Sequence, residues 1–234
     1  MFTRFLYSFE HKCNAGMISY RYPMIAKEGW NVIAIFILLA ALISILLNIF
    51  MALPLWFTAM FFVFVYRDPA RKVPPVPLAI VGIVDGKVLN VKTIKDPYID
   101  REAISVTFVK TWFSIISLRS PIEGKVMEQW FATNHRSKND DSKHSAQFSK
   151  GFAQWVQSDE GDDVVIAIYP NYTFQRPRCY VHSGERIGQG QRCGIIPFHS
   201  QVEVIVPANA TVNVKPGDTV LAGTDTIATL RSSH

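Results

Sequence analysis

From Trp30 to Tyr66 the chain carries no charged side chain, and a run of that length constrains everything around it. A membrane helix needs ~20 mostly apolar residues, and Asn31 to about Met51 supplies one. Leu53-Pro54 then punctuates the run, because proline lacks the N–H that the helical ladder needs. Leu55 to Tyr66 is a second apolar stretch, rich in aromatics (Trp56, Phe57, Phe61, Phe62, Phe64, Tyr66). At ~1.5 Å per residue it reaches only about 18 Å, short of a ~30 Å hydrocarbon core. It must borrow residues before Pro54 or dip in as a half-span. Lys27 precedes the run, and Arg67, Arg71 and Lys72 follow it. Positive residues at both ends keep both on the cytoplasmic side, so a helical membrane hairpin is expected over 30–66. A helix pair in a soluble core is the competing reading, and a charge-free stretch this long argues against it.

The remainder is too polar for a multi-span protein. Of 234 residues, 49% are hydrophobic and 18% charged, which suits one membrane segment and one water-soluble domain. The net charge of +5 is partly placed beside the apolar run, so phospholipid is the expected partner and nucleic acid is not. Residues 1–29 mix basic side chains with Phe2, Phe5, Tyr7 and Phe9. They read as an interfacial segment lying along the headgroups, not as a cleaved signal peptide. Residues 67–78 form a stiff, proline-rich linker. Cys13, Cys179 and Cys193 have no metal-ligand spacing and no even count for disulfides, and the latter two read as buried small hydrophobes in a reducing compartment.

Beyond the linker, over 79–234, short β-branched runs alternate with glycine and proline, the pattern of a mainly β fold. Strands are expected at 80–84, 86–91, 103–110, 112–118, 124–131, 164–168, 178–181, 193–196, 201–206, 211–214 and 226–230. Two phrases recur. Val84-Asp85-Gly86-Lys87-Val88 echoes Ile122-Glu123-Gly124-Lys125-Val126, and Gly184-Glu185-Arg186-Ile187 through Gly190 echoes Gly217-Asp218-Thr219-Val220 through Gly223. Duplicated turn–strand–turn phrases suit a barrel-sandwich with lipoyl-like hairpins, although neither hairpin carries the lysine of a swinging-arm carrier. The polar run 134–144 reads as an exposed loop. Its His135 and His144, with Asp140 or Asp141, lack first-shell spacing, so no metal is expected.

The order of these features resembles the short, membrane-anchored phosphatidylserine decarboxylases. The resemblance runs from about residue 29 to 230. It rests on the apolar hairpin, Arg67-Asp68-Pro69, Val84–Val88, Arg119-Ser120-Pro121-Ile122-Glu123-Gly124-Lys125-Val126, and Gly184–Ile196 leading into Ile195–Pro207. In that family a serine hydroxyl attacks the preceding carbonyl, the chain breaks, and the serine becomes a pyruvoyl group that serves as electron sink. The resemblance implies a cleavage site at His199–Ser200, with Ser200 as the pyruvoyl precursor. Asp85 matches the family's Ala-Asp-Gly acid, which helps activate the serine through a histidine. Two positions depart from the pattern. The family's Asp-x-His phrase falls on Ser114-Ile115-Ile116, so the expected acid/base histidine is replaced by Ile116 and its acid by Ser114. The family's glycine before the serine is His199, and glycine is the residue that tolerates strain at a scissile bond.

These departures give two readings. In the first, the chain keeps the fold but stays unprocessed, without a cofactor, as a lipid-binding or accessory subunit of a larger membrane complex. In the alternative, it is an active pyruvoyl-dependent decarboxylase making phosphatidylethanolamine, with Ser200 and Asp85 as its catalytic residues. In either case the chain is expected at an inner membrane, bacterial or mitochondrial, with the β domain on the cytoplasmic or matrix side.

Overall fold

The computed structural model describes residues 25–26, 29–110, 114–131, 151–171, 177–196 and 199–231. The interfacial segment at 1–24, Cys13 and the polar loop with His135 and His144 lie outside these residues. Two helices come first, α1 (Gly29–Leu46) and α2 (Ile49–Val65). The chain turns at Leu47-Asn48, earlier than Pro54. Asn48 sits extended and its side chain accepts from Phe50 N–H, so it caps α2. Pro54 lies inside α2, which therefore does borrow residues ahead of the proline. Small side chains line the helix contact, with Ala40, Ala52 and Ala59 buried and Phe36 stacked on Phe62 at 5.1 Å. The large side chains point outward: Ile45 is 81% exposed and Phe50 73%. Of the two helices, α1 is long and apolar enough to cross a membrane.

The β domain holds β1 (Ala79–Val81), β2 (Gly86–Lys95), β3 (Glu102–Lys110), β4 (Ser117–Arg119), β5 (Gly124–Phe131), β6 (Phe152–Gln157) and β7 (Asp163–Pro170). It continues with β8 (Arg178–Cys179), β9 (Arg186–Ile187), β10 (Arg192–Ile195), β11 (Ser200–Pro207), β12 (Thr211–Val212), β13 (Thr219–Val220) and β14 (Thr226–Thr229). Of the expected strand at 112–118, the described residues show a bend at Ser114 and strand from Ser117, in β4. An eight-stranded sheet runs β13-β2-β3-β11-β7-β6-β5-β9, flanked by β1-β14-β12 and β4-β10-β8. The fold is mainly β, a curled sandwich behind the helices.

The sheet orders contain a duplication. One copy is β1–β3 with β11–β14; the other is β4–β10, inserted between β3 and β11. The recurring phrases occupy matching places. Gly217 N–H donates to Val88 O at 2.9 Å as Gly184 N–H donates to Val126 O at 2.7 Å. Gly223 N–H bonds Gly82 O as Gly190 N–H bonds Ser120 O. A Cβ on Gly86 would strike Val109 O, and one on Gly124 would strike Gln157 O, so both phrases need glycine where two strands press together. In the inserted copy β6 and β7 join through a tight turn, Ser158 N–H donating to Asp162 O at 2.8 Å. In the other copy the matching junction lies between Lys110 and Ser200, and the whole inserted copy has opened it.

Alternation settles the two faces of β11. Val202, Val204 and Val206 enter the main core with Phe108, Val106 and Ile168, while Ile205 joins Ala103 and Val165 on the other face. Glu203, also on that other face, accepts from Ser105 Oγ and from Tyr169 Oη at 3.2 Å. Burial and the Glu203 carboxylate push the Tyr169 phenol well above its ordinary range.

Candidate functional site

Ser200 opens β11, an interior strand of the large sheet, and is 1% exposed. Its register partner on β7 is Pro170. On the other side Gln201 pairs with Val109, so one further step sets Ser200 opposite Lys110. Directly opposite residues share a face, and both belong to the core face, in phase with Val202 and Phe108. Just before Ser200, His199 sits at φ 54°. That left-handed conformation costs a side-chain-bearing residue about 1–2 kcal/mol, although histidine tolerates it better than most. The backbone thus holds a histidine in a conformation that glycine adopts more readily.

Asp85 lies in the turn between β1 and β2. Arg71 grips both its oxygens at 2.6 Å, and Ala222 N–H donates to Oδ1 at 2.8 Å. Among the contacts of the described residues, Asp85 thus orders the linker and the β13–β14 turn. Its carboxylate also acts on Lys110 from across β2, where Gly86 is register partner to Lys110.

Lys110 is fully buried. Burial lowers its amine from 10.5 to about 8, and the Asp85 carboxylate partly opposes that fall. Its Nζ donates to Ser114 O at 3.4 Å. Ile116 packs in the core at 5% exposure, and its carbonyl accepts from Ile196 N–H at 2.8 Å. The Ser114-Ile115-Ile116 segment thus borders the site but brings it no imidazole.

A second charged cluster ties the helices to the β domain. Asp68, two residues beyond the hairpin, is fully buried and accepts from Ser117 Oγ and Arg119 Nη2, both at 3.0 Å. Arg119 also donates to Gly190 O at 3.2 Å and Pro69 O at 3.1 Å. The linker read as a spacer is therefore a fixed strut. Cys193 is buried and Cys179 half-buried, donating to Gln154 Oε1 at 3.3 Å. Burial raises both thiols above the ordinary range, as expected of packing residues.

The sequence pointed to Ser200, His199 and Asp85, and the structure places all three around β2, β3 and β11. It did not point to Lys110, and it held Arg71, Asp68 and Arg119 in separate phrases without pairing them. Lys110 had one legible signal: it is in phase with Val106 and Phe108, so alternation alone assigns it inward.

The family model described as phosphatidylserine decarboxylase matches residues 58–228. A phosphatidylserine decarboxylase proenzyme of Nitrosomonas europaea is 36% identical over 203 residues, covering 87% of this chain and 94% of its own length. Proenzymes of the same name from Nitrosomonas eutropha and Aromatoleum aromaticum are 34% and 31% identical over 212 residues, covering 91% of this chain and 98% of theirs. No solved structure matches the chain.

Proposed function

The chain belongs to the phosphatidylserine decarboxylase family, and we propose on that premise that it is a membrane-associated proenzyme that cleaves itself between His199 and Ser200. Once processed it decarboxylates phosphatidylserine to phosphatidylethanolamine. The observation that carries this reading is the seat of Ser200. It is buried at the head of an interior strand, directly behind a residue held in the left-handed region.

A pyruvoyl group at position 200 fits this seat. Breaking the 199–200 bond leaves the β11 pairings with β3 and β7 untouched, so the new terminus stays clamped between two strands. Its position on the core face keeps bulk water away. There the pyruvoyl carbonyl supplies the electron sink for loss of carbon dioxide. The strut through Asp68 and Arg119 sets the β domain at a fixed reach from the hairpin. With its large apolar side chains outward, the hairpin anchors the domain at a phospholipid surface.

Intact mass of the purified protein tests the reading. Two chains are expected, residues 1–199 and 200–234, the smaller one blocked at its N-terminus, and the preparation releases carbon dioxide from phosphatidylserine vesicles. A single 26.4 kDa chain that stays whole on incubation overturns it and favours the unprocessed, accessory reading.

A further inference from the structure

We propose that Lys110 takes the proton from the Ser200 hydroxyl during self-cleavage. The inference rests on the self-cleavage reading and adds a residue to it. Register sets Lys110 opposite Ser200 on the same face, and Lys110 is fully buried there. The fold itself does not ask for a lysine. The matching place in the inserted copy, where Gly124 presses on β6 as Gly86 presses on β3, is Ser158. A buried amine is costly, and neither Ser114 nor Ile116 can accept a proton at this site. Amines desolvated in this way serve as general bases, and serine–lysine pairs do such work elsewhere.

The chemistry balances without an outside oxidant. Neutral Lys110 Nζ accepts the Oγ proton as Oγ bonds to the carbonyl carbon of His199. The C–N bond to Ser200 then breaks, and the ammonium returns the proton to the departing amine, leaving an ester. Lys110, neutral again, takes the Ser200 Cα proton as the Cβ–O bond breaks and His199 leaves as a carboxylate, and the same proton is returned to Cβ in the next step. The resulting enamine becomes an imine, which water converts to the ketone and ammonia. Asp85, held by Arg71, faces Lys110 from the β1–β2 turn and favours its charged form after proton transfer. The other titratable group at the head of β11 is His199.

The test follows processing of the full-length protein by intact mass in Lys110→Met, Lys110→His and His199→Gly variants. Lys110→Met should slow cleavage by ~10²-fold or more. Wild-type cleavage should accelerate with pH up to a plateau near the lowered amine value of about 8. Lys110→His should restore part of the rate with the plateau moved to lower pH, and His199→Gly should keep the rise. Wild type that cleaves while Lys110→Met cleaves equally fast, or a wild-type rate flat from about pH 6 to about pH 9, overturns the role of Lys110. The flat profile decides even if Lys110→Met fails to fold. Wild type that never cleaves, like Ser200→Ala, instead removes the self-cleavage reading itself.

Discussion

The two copies of the β repeat share a backbone and differ in what they carry at the same places. At the β2 end, Asp85 is gripped by Arg71 and Ala222 N–H, and Lys110 and Ser200 face one another across β3 and β11. At the β5 end, Glu123 is exposed, and Ser158 and Asp162 are closed into a turn whose bonds satisfy one another. The inserted copy shows what the architecture needs to fold. Whatever the other copy adds at matching positions, chiefly a buried amine, a buried hydroxyl and a clamped carboxylate, is excess over that need. Excess that costs stability points to function.

The sharpest way to break this comparison is to exchange its reactive positions. Ser200→Ala should abolish processing outright, while Asp162→Ala at the matching place should leave the two-chain pattern unchanged by intact mass. A next, smaller effect concerns the strut. Arg119→Met removes the hydrogen-bonded cation of buried Asp68 and leaves, among the described residues, only Arg192 Nε, at 3.7 Å, which should cost about 3 kcal/mol, read as a fall in urea midpoint at unchanged slope. Lys110→Met moves the other way. The amine sits at about 8 when folded against 10.5 ordinarily, so the unfolded chain binds more protons between those values and stability rises with pH across that window. The penalty is full below about 8 and gone above about 10.5. The variant should therefore be about 3 kcal/mol more stable at pH 7 and lose that rise, as urea melts at several pH values would show. Asp85→Asn should cost about 1–3 kcal/mol through the Arg71 and Ala222 bonds, whereas Glu123→Gln should change stability by less than ~0.5 kcal/mol. His199→Gly relieves the left-handed strain and should gain about 1 kcal/mol.

Much of the fold was legible because it is written in alternation and turn residues. Gln201–Val206 reads as a strand with Val202, Val204 and Val206 inward, and so it folds. The recurring phrases gave away the duplication, although not that one copy interrupts the other, since insertion leaves no local mark. Phe152–Gln157 shows no clear strand period because Gln154, fully buried, stands on the core face and spoils the apolar count. The two-residue strands β9 and β13 are too short for any period. An Asn cap at Leu47-Asn48 is a quieter signal than Pro54, yet Pro54, the sixth residue of α2, gives up its bond to the Phe50 carbonyl without ending the helix. At the site, Ser200 was visible as a position and Lys110 was not. What gives the lysine meaning is a neighbour some ninety residues away in sequence, and only the strand register supplies it.

That separation has a consequence for how the protein matures. Lys110 ends β3, and β11 cannot take its seat beside it until the entire inserted copy has been synthesised. The seat of Ser200 between β3 and β7 therefore depends on strands from both copies. Long-range pairing of this kind is slow relative to local structure. On the self-cleavage proposal, cutting of the chain would report completed assembly of both copies, and a molecule that misfolds in its middle copy would stay uncut.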